Sequence, residues 1–433
     1  MNSLQGRFEC MEKKQKIFLA LLVFFLYLIP TFIQYSFDEN FRISGVFLGL
    51  PRVLSGDEPH YLATIYSIAE DLDLDLENNY TDTYYNNQTD AGAIYSNTQG
   101  IEGAGRHCMY HGIGKGELCF PGHPIGMPLV FSIFLFPFAN STFLESAAIY
   151  LMMIVSVLTL FLLYKILKHY GASERHAIIV TLIWAFATPI WFYSKSLWPA
   201  TLLMFLTTLS FYFFFVRKKF LPSSLLMSVA FVANYPMAIL AGAKAFLLAK
   251  KKKFRGLAVF SIPIAITVAV TIIYTNLVIK VGHVPLRQLD TVGVGNIFFG
   301  LPALIFSPKF GLLVFSPILI FSLLGFREFY REHKDEAVWL ALSFVFTWLL
   351  YSSVSYLASG IASFGPRYFV PFLPLFALPF MQWFKSNKNK YLWWLFLAVL
   401  AYSLLLNLAA VLFYPAFWDR EVWWLASKVL IGA

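Results

Sequence analysis

Long apolar runs separated by short charged ones set the pattern of this chain. Apolar residues fill 17–35, 146–164, 177–193, 197–216, 257–279, 311–326, 337–355, 367–384 and 391–413. Runs of this kind match the ~20 residues that carry a helix across a bilayer. Two stretches depart from the simple pattern. Residues 221–249 are apolar but interrupted by Asn234, Tyr235 and Pro236, which predicts a hairpin of two short legs turning there. Residues 122–138 are apolar, short and broken by Pro124, Pro128 and Pro137, which predicts a helix lying on or dipping into the outer leaflet. The pattern as a whole predicts an all-α polytopic membrane protein with about eleven spans. One membrane-embedded domain is expected over 1–433, with no separate soluble C-terminal domain. No heptad, solenoid repeat or low-complexity tract is present.

Charge orients the spans. The first run has a basic lead (Arg7, Lys13, Lys14, Lys16) but no small-residue cleavage site after it, so it reads as an uncleaved signal anchor. Most of the 33 Lys and Arg fall in clusters at 7–16, before the first apolar run, and at 165–175, 217–219, 250–255, 327–334 and 385–390, between later ones. The positive-inside rule puts these loops and the N-terminus in the cytoplasm and the C-terminus outside. The net charge of +9 then reports topology, not a nucleic-acid partner. With 58% hydrophobic and 13% charged residues, a soluble globular domain is excluded. A large extracytoplasmic loop is expected over 36–145. More than half of the 24 Asp and Glu lie in it, against Arg42, Arg52, Arg106 and Lys115.

This acidic loop carries the candidate chemistry. Ser55 and Gly56 break the chain, Asp57 is suited to cap a helix, and Pro59 is tolerated in a first turn. Leu62, Ile65, Tyr66 and Ala69 then form one apolar face, predicting a helix that lies on the membrane surface. The plain reading of Asp57 is an N-cap. The functional reading is a pair of carboxylates, Asp57 and Glu58, at the outer boundary, where a lipid headgroup and a water-borne acceptor can both reach them. His123 and Pro124 open a second apolar helix later in the same loop.

In order, Gly56-Asp57-Glu58-Pro59-His60-Tyr61, the helix end at Ser67 to Leu74, His123-Pro124-Ile125-Gly126-Met127-Pro128-Leu129, Ser307-Pro308-Lys309-Phe310-Gly311-Leu312 and Gly365-Pro366-Arg367-Tyr368 resemble motifs of the GT-C class of integral-membrane glycosyltransferases. That class includes protein O-mannosyltransferases and aminoarabinose transferases. One departure is Pro124-Ile125, where a double proline is usual. The resemblance implies a GT-C-like bundle that transfers a sugar, with inversion, from a polyprenyl or dolichyl phosphate to a protein, glycolipid or polymer acceptor on the outer face. The expected location is the plasma membrane of a prokaryote. Asp57 is the implied general base, with Glu58 orienting it or raising its pKa. The leaving phosphate calls for fixed positive charge. Arg367, which matches the Arg-Tyr motif, is the first candidate, followed by Lys309, Lys195 and Arg287. For Lys195 and Lys309 the competing reading is snorkelling to headgroups. His60, Tyr61, His123 and Tyr368 would line the pocket, and Gly293, Gly295 and Gly300 would form a mobile cover.

No cofactor is expected. The alternative is a divalent metal held by His107, His111, His123, Cys108 and Cys119, whose spacing fits no familiar zinc module. The blander reading of Cys108 and Cys119 is a disulfide. Asn79, Asn87 and Asn140 head sequons on the outer side, and Trp418, Trp423 and Trp424 suit an interfacial belt. A transporter or lipid flippase is the alternative function, opposed by the scarcity of ionisable residues within the runs. An oligosaccharyltransferase is disfavoured because Leu425 follows Trp423-Trp424 where that group has Asp.

Overall fold

A computed structural model describes residues 20–37, 43–51, 53, 57–81, 108–112, 117–277, 295–354, 364, 365 and 367–413. Among them, four helices are long and apolar enough to cross a bilayer: Leu144–His169, Pro199–Val216, Phe254–Tyr274 and Lys390–Phe413. The remaining helices are shorter, so membrane-length helices alone do not supply the expected eleven or so. Arg287, His107, Asn87, Cys10 and the tryptophans after residue 413 lie outside the described residues.

Proline explains several of the departures. The run 177–193 forms a helix only over Glu174–Phe186, then turns at Thr188-Pro189 into the single turn Ile190–Tyr193. The run 311–326 is split into Leu312–Phe315 and Leu319–Glu332 around Ser316-Pro317. The run 367–384 opens as a 3₁₀ helix, Arg367–Phe376, containing Pro371 and Pro374, and becomes α-helical only at Ala377–Ser386. Each proline removes one backbone donor and crowds the preceding turn, so a regular α-helix cannot pass through. The first run is helical over Ala20–Phe32 and then extends.

The described residues are predominantly helical, consistent with the all-α expectation, with two short antiparallel hairpins added. Ile33–Phe37 pairs with Ile43–Leu48, and Cys108–Gly112 pairs with Glu117–Pro121. Both hairpins flank the helix Glu58–Glu70, here α1, which packs against Gly126–Leu135, here α2. The helix expected after Asp57 forms and is covered by protein on nearly every side. Every residue of α1 from Glu58 to Ser67 is buried, including His60, Tyr61 and Thr64 on the faces away from the predicted apolar stripe. In α2, Ile133 and Phe134 remain exposed to the surroundings.

Glycine permits the closest helix contacts. A Cβ on Gly325 would lie 2.0 Å from the Pro379 carbonyl oxygen, so Leu319–Glu332 and Ala377–Ser386 approach backbone to backbone. Beside that contact, the Phe321 and Trp383 rings lie 4.5 Å apart. At Gly126 a Cβ would fall 2.3 Å from the Ala233 nitrogen, which locks the start of α2 onto the end of Phe220–Ala233.

The basic loops gather at one end of the bundle. Tyr170 donates to Glu336 (3.0 Å), Lys385 to the Gly171 carbonyl (2.7 Å), and Lys251 pairs with Asp335. Phe220–Ala233 and Ala238–Lys250 form the expected two-legged hairpin: Gly256 packs against both Phe220 and Leu248, so the legs return to the same end. Their 14 and 13 residues reach only ~20 Å, less than the ~30 Å hydrocarbon core. Asn234, at the turn, therefore lies away from the basic end, as does the exposed Asn140 that precedes Leu144–His169. Single cysteines at positions 140 and 252 are expected to react with an impermeant thiol reagent from opposite faces of sealed vesicles. Labelling of both from one face would contradict this arrangement.

Candidate functional site

Asp57 occupies the N-cap position of α1, but its side chain makes no capping hydrogen bond. The carboxylate turns instead toward the start of the 3₁₀ helix. Its Oδ2 lies 3.5 Å from Arg367 Nη1 and 4.0 Å from His123 Nδ1, with the three side chains about one-fifth exposed. The His123 ring is 5.1 Å from that of Tyr61 and 5.8 Å from that of His60. Gly126, jammed against Ala233, fixes the turn that carries His123. Burial, and then the nearby Asp57 charge, push the Tyr61 hydroxyl well above the usual phenol range, so it remains protonated at neutral pH.

Arg367 is held on several sides. Its guanidinium lies 4.4 Å from the centre of the Trp198 ring, a cation–π distance. Its Nη2 donates to the Tyr368 hydroxyl at 3.1 Å. Nη1 faces Asp57 electrostatically yet has no hydrogen-bond acceptor among the described residues. The segment before it is anchored: the Phe364 ring packs on Phe192 and Phe315, each at 4.9 Å, and its carbonyl accepts from Tyr193 (3.0 Å). Gly365 then takes φ +64°, a left-handed conformation that a residue with a Cβ adopts only at a cost. It sits directly against Phe315.

Glu58, expected to act on Asp57, points elsewhere. Successive helical residues are rotated by about 100°, and Glu58 is buried with Oε1 accepting from the Leu197 N–H at 2.7 Å. Lys195 donates to the Val411 carbonyl and feels the Glu58 charge. Burial pushes this amine down to about 8, with Glu58 opposing the shift. Glu58 and Lys195 thus secure the turn that presents Trp198 beneath Arg367, instead of facing Asp57 themselves.

The other expected residues separate. Lys309 is exposed on the turn closed by Gly311 N–H to Ser307 O (2.7 Å), and no contact among the described residues joins it to Asp57. That turn leads into Leu312–Phe315 and so puts Phe315 behind Gly365, a packing role for the Ser307 to Leu312 motif. Gly300 is no mobile cover: a Cβ there would lie 2.1 Å from the Ser352 oxygen. Cys119 is disulfide-bonded and so has no thiolate to offer a metal. Cys108 stands on the paired strand, opposite Pro121. No cluster of three or more metal-ligating side chains occurs among the described residues. Asn79 is fully buried with its amide donating to Asp71 (2.7 Å), so the nitrogen that a glycan would take is occupied.

Three residues of the site were not anticipated from sequence as parts of it: Trp198, Tyr351 and Asn234. The Tyr351 ring stacks on Tyr368 at 3.7 Å and 15°, and the Asn234 side chain lies within electrostatic reach of the Tyr351 hydroxyl. Only Asn234 carried a sequence signal, as the polar break in an apolar run.

No protein-family model matches the chain, and no curated protein matches it.

Lys195 supplies a pH test. It binds its proton more weakly in the folded protein, at about 8, than a solvated lysine does in the unfolded chain, at 10.5. Folding therefore bears a cost below pH 8 that is relieved as pH rises from about 8 toward 10.5. In detergent, the melting temperature of the wild type is expected to climb relative to Lys195→Met as pH rises through this window. Parallel curves would contradict the burial of this amine.

Proposed function

We propose that this chain is a membrane glycosyltransferase of GT-C type, transferring a sugar from a polyprenyl or dolichyl phosphate to an acceptor hydroxyl outside the cytoplasm. The observation that carries the reading is the Asp57–Arg367 pair. A carboxylate free of capping duty lies 3.5 Å from a guanidinium nitrogen that lacks a hydrogen-bond acceptor, at the end of the bundle away from the basic loops. The order of motifs along the sequence agrees with it.

In this reading the donor phosphate approaches Arg367 and competes with Asp57 for the guanidinium. A guanidinium recognises phosphate oxygens well because its donors are planar and its charge is permanent. The acceptor oxygen attacks the anomeric carbon as the bond from that carbon to the phosphate oxygen breaks. The electron pair of that bond leaves on the phosphate, where Arg367 stabilises it, and the acceptor proton passes to Asp57. Attack from the face opposite the leaving group inverts the anomeric centre. Tyr61, His60 and His123 surround the carboxylate and offer aromatic faces and polar edges to a sugar ring. Glu58 and Lys195 have supporting roles through Trp198.

The second reading, a transporter or flippase, has one observation in its favour. Lys244 is fully buried in a hairpin leg, donating to Ser210 (2.6 Å) and lying 5.4 Å from the Trp339 ring centre. An ionisable residue inside a membrane bundle is a functional candidate by default. Lys244 sits one turn and a half from the basic end, enclosed by Ser210, Ser223 and Phe214, which ties it to packing of that end.

Purified protein supplied with labelled polyprenyl-phosphate sugars and candidate acceptors is expected to turn over. Asp57→Asn should lower turnover by about 10²-fold or more, the usual scale for a lost general base, while keeping or raising affinity for polyprenyl phosphate. Arg367→Ala should weaken that affinity. Equal turnover in Asp57→Asn would remove the assignment, and transport of lipid-linked sugar without transfer would favour the second reading.

A further inference from the structure

The geometry points to Tyr351 and Asn234 as positioning residues that set the Arg367 guanidinium for a phosphate. The inference rests on the reading of Arg367 as the donor-phosphate ligand, and it adds two residues outside the sequence motifs. Arginine has a long side chain whose freedom must be lost before its nitrogens can meet a ligand, so the groups that immobilise it govern affinity. Trp198 covers one guanidinium face and Asp57 faces Nη1, but the hydrogen bond that fixes rotation about the side chain runs from Nη2 to the Tyr368 hydroxyl. Tyr368 follows Arg367 directly in the chain, and its ring is held by the stack on Tyr351 at 3.7 Å and 15°.

Tyr351 lies near the end of the helix Lys334–Ser352, and the Asn234 side chain stands beside its hydroxyl. Asn234 has an extended backbone at φ −164°. Its N–H donates to Ala230 O and its carbonyl accepts from the Met237 N–H, so its main chain closes one hairpin leg and opens the next. The break in the hairpin is therefore a fixed bracket that sets the Asn234 side chain beside Tyr351. Gly126 packs on the backbone just before it, so the same bracket also braces the turn that carries His123. One polar interruption in an apolar run thus supports both groups that face the Asp57 carboxylate.

The test measures binding of a long-chain polyprenyl phosphate to the detergent-solubilised full chain, read as the rise in melting temperature with ligand concentration. Wild type, Tyr351→Leu, Tyr351→Phe, Asn234→Ala, Arg367→Ala and the double variant Tyr351→Leu/Arg367→Ala are compared. Tyr351→Leu removes the stack and should weaken binding about tenfold, the scale of one remote positioning contact. Tyr351→Phe keeps the stack and should stay within about twofold of wild type, with Asn234→Ala between them. In the Arg367→Ala background Tyr351→Leu should cause no further loss, because its effect passes through the guanidinium. Wild-type affinity in a folded Tyr351→Leu, or the same loss with and without Arg367, overturns the inference while leaving Arg367 as ligand. Should Tyr351→Leu not fold, Asn234→Ala with and without Arg367→Ala carries the same two outcomes. If wild type and Arg367→Ala bind the lipid phosphate equally, the functional reading fails, and the positioning role falls with it.

Discussion

A guanidinium four-fifths withdrawn from solvent needs a counter-charge, and Arg367 finds it in Asp57. Breaking a buried pair of this kind by deleting one partner costs on the order of 3 kcal/mol, because the other charge remains in place without compensation. The interaction joins distant parts of the chain. Asp57 opens α1, within the first polar loop after the initial apolar helix, and Arg367 opens the 3₁₀ segment that precedes the last two described helices. The proposed function also starts from this ion pair: in that proposal, a phosphate that captured Arg367 would release the carboxylate to take a proton.

Several local rules bring the two residues to one place. Gly365 supplies the left-handed turn before Arg367, and Phe364 is clamped by Phe192, Phe315 and the Tyr193 hydroxyl. Glu58 caps the Leu197 N–H and holds the turn that lays Trp198 against the guanidinium. Gly126 lets α2 close onto the hairpin. Each of these contacts is made behind the site, and together they leave the Asp57 and His123 edges partly open.

Much of the helical pattern was legible because apolar run length and proline position are both written in the chain. The run at 391–413 returned as Lys390–Phe413, and Asn234 to Pro236 marked the hairpin turn. The hairpin Ile33–Phe37 with Ile43–Leu48 was not legible, since a two-stranded ribbon depends on its surroundings and its first strand continues an apolar run. Asp57 and Arg367 stood out as charges at the edges of apolar runs. The divergence of Asp57 and Glu58 could have been read from helical rotation, which sends adjacent residues to different faces. Tyr351 could not, because it lies in an aromatic-rich run where nothing in the sequence distinguishes a supporting ring from a lipid-facing one. Lys309 and Lys195 show that a cation at the edge of a span has several uses: one lies on an exposed turn, and the other is engaged by a backbone carbonyl.

The most direct measurement is a double-mutant cycle on thermal stability in detergent, using Asp57→Asn, Arg367→Gln and the pair together. If the ion pair organises this end of the molecule, the double variant will be less destabilised than the sum of the single ones, with a coupling of about 1 kcal/mol or more. Additivity within about 0.5 kcal/mol would mean that the two charges do not depend on each other, and would contradict the account.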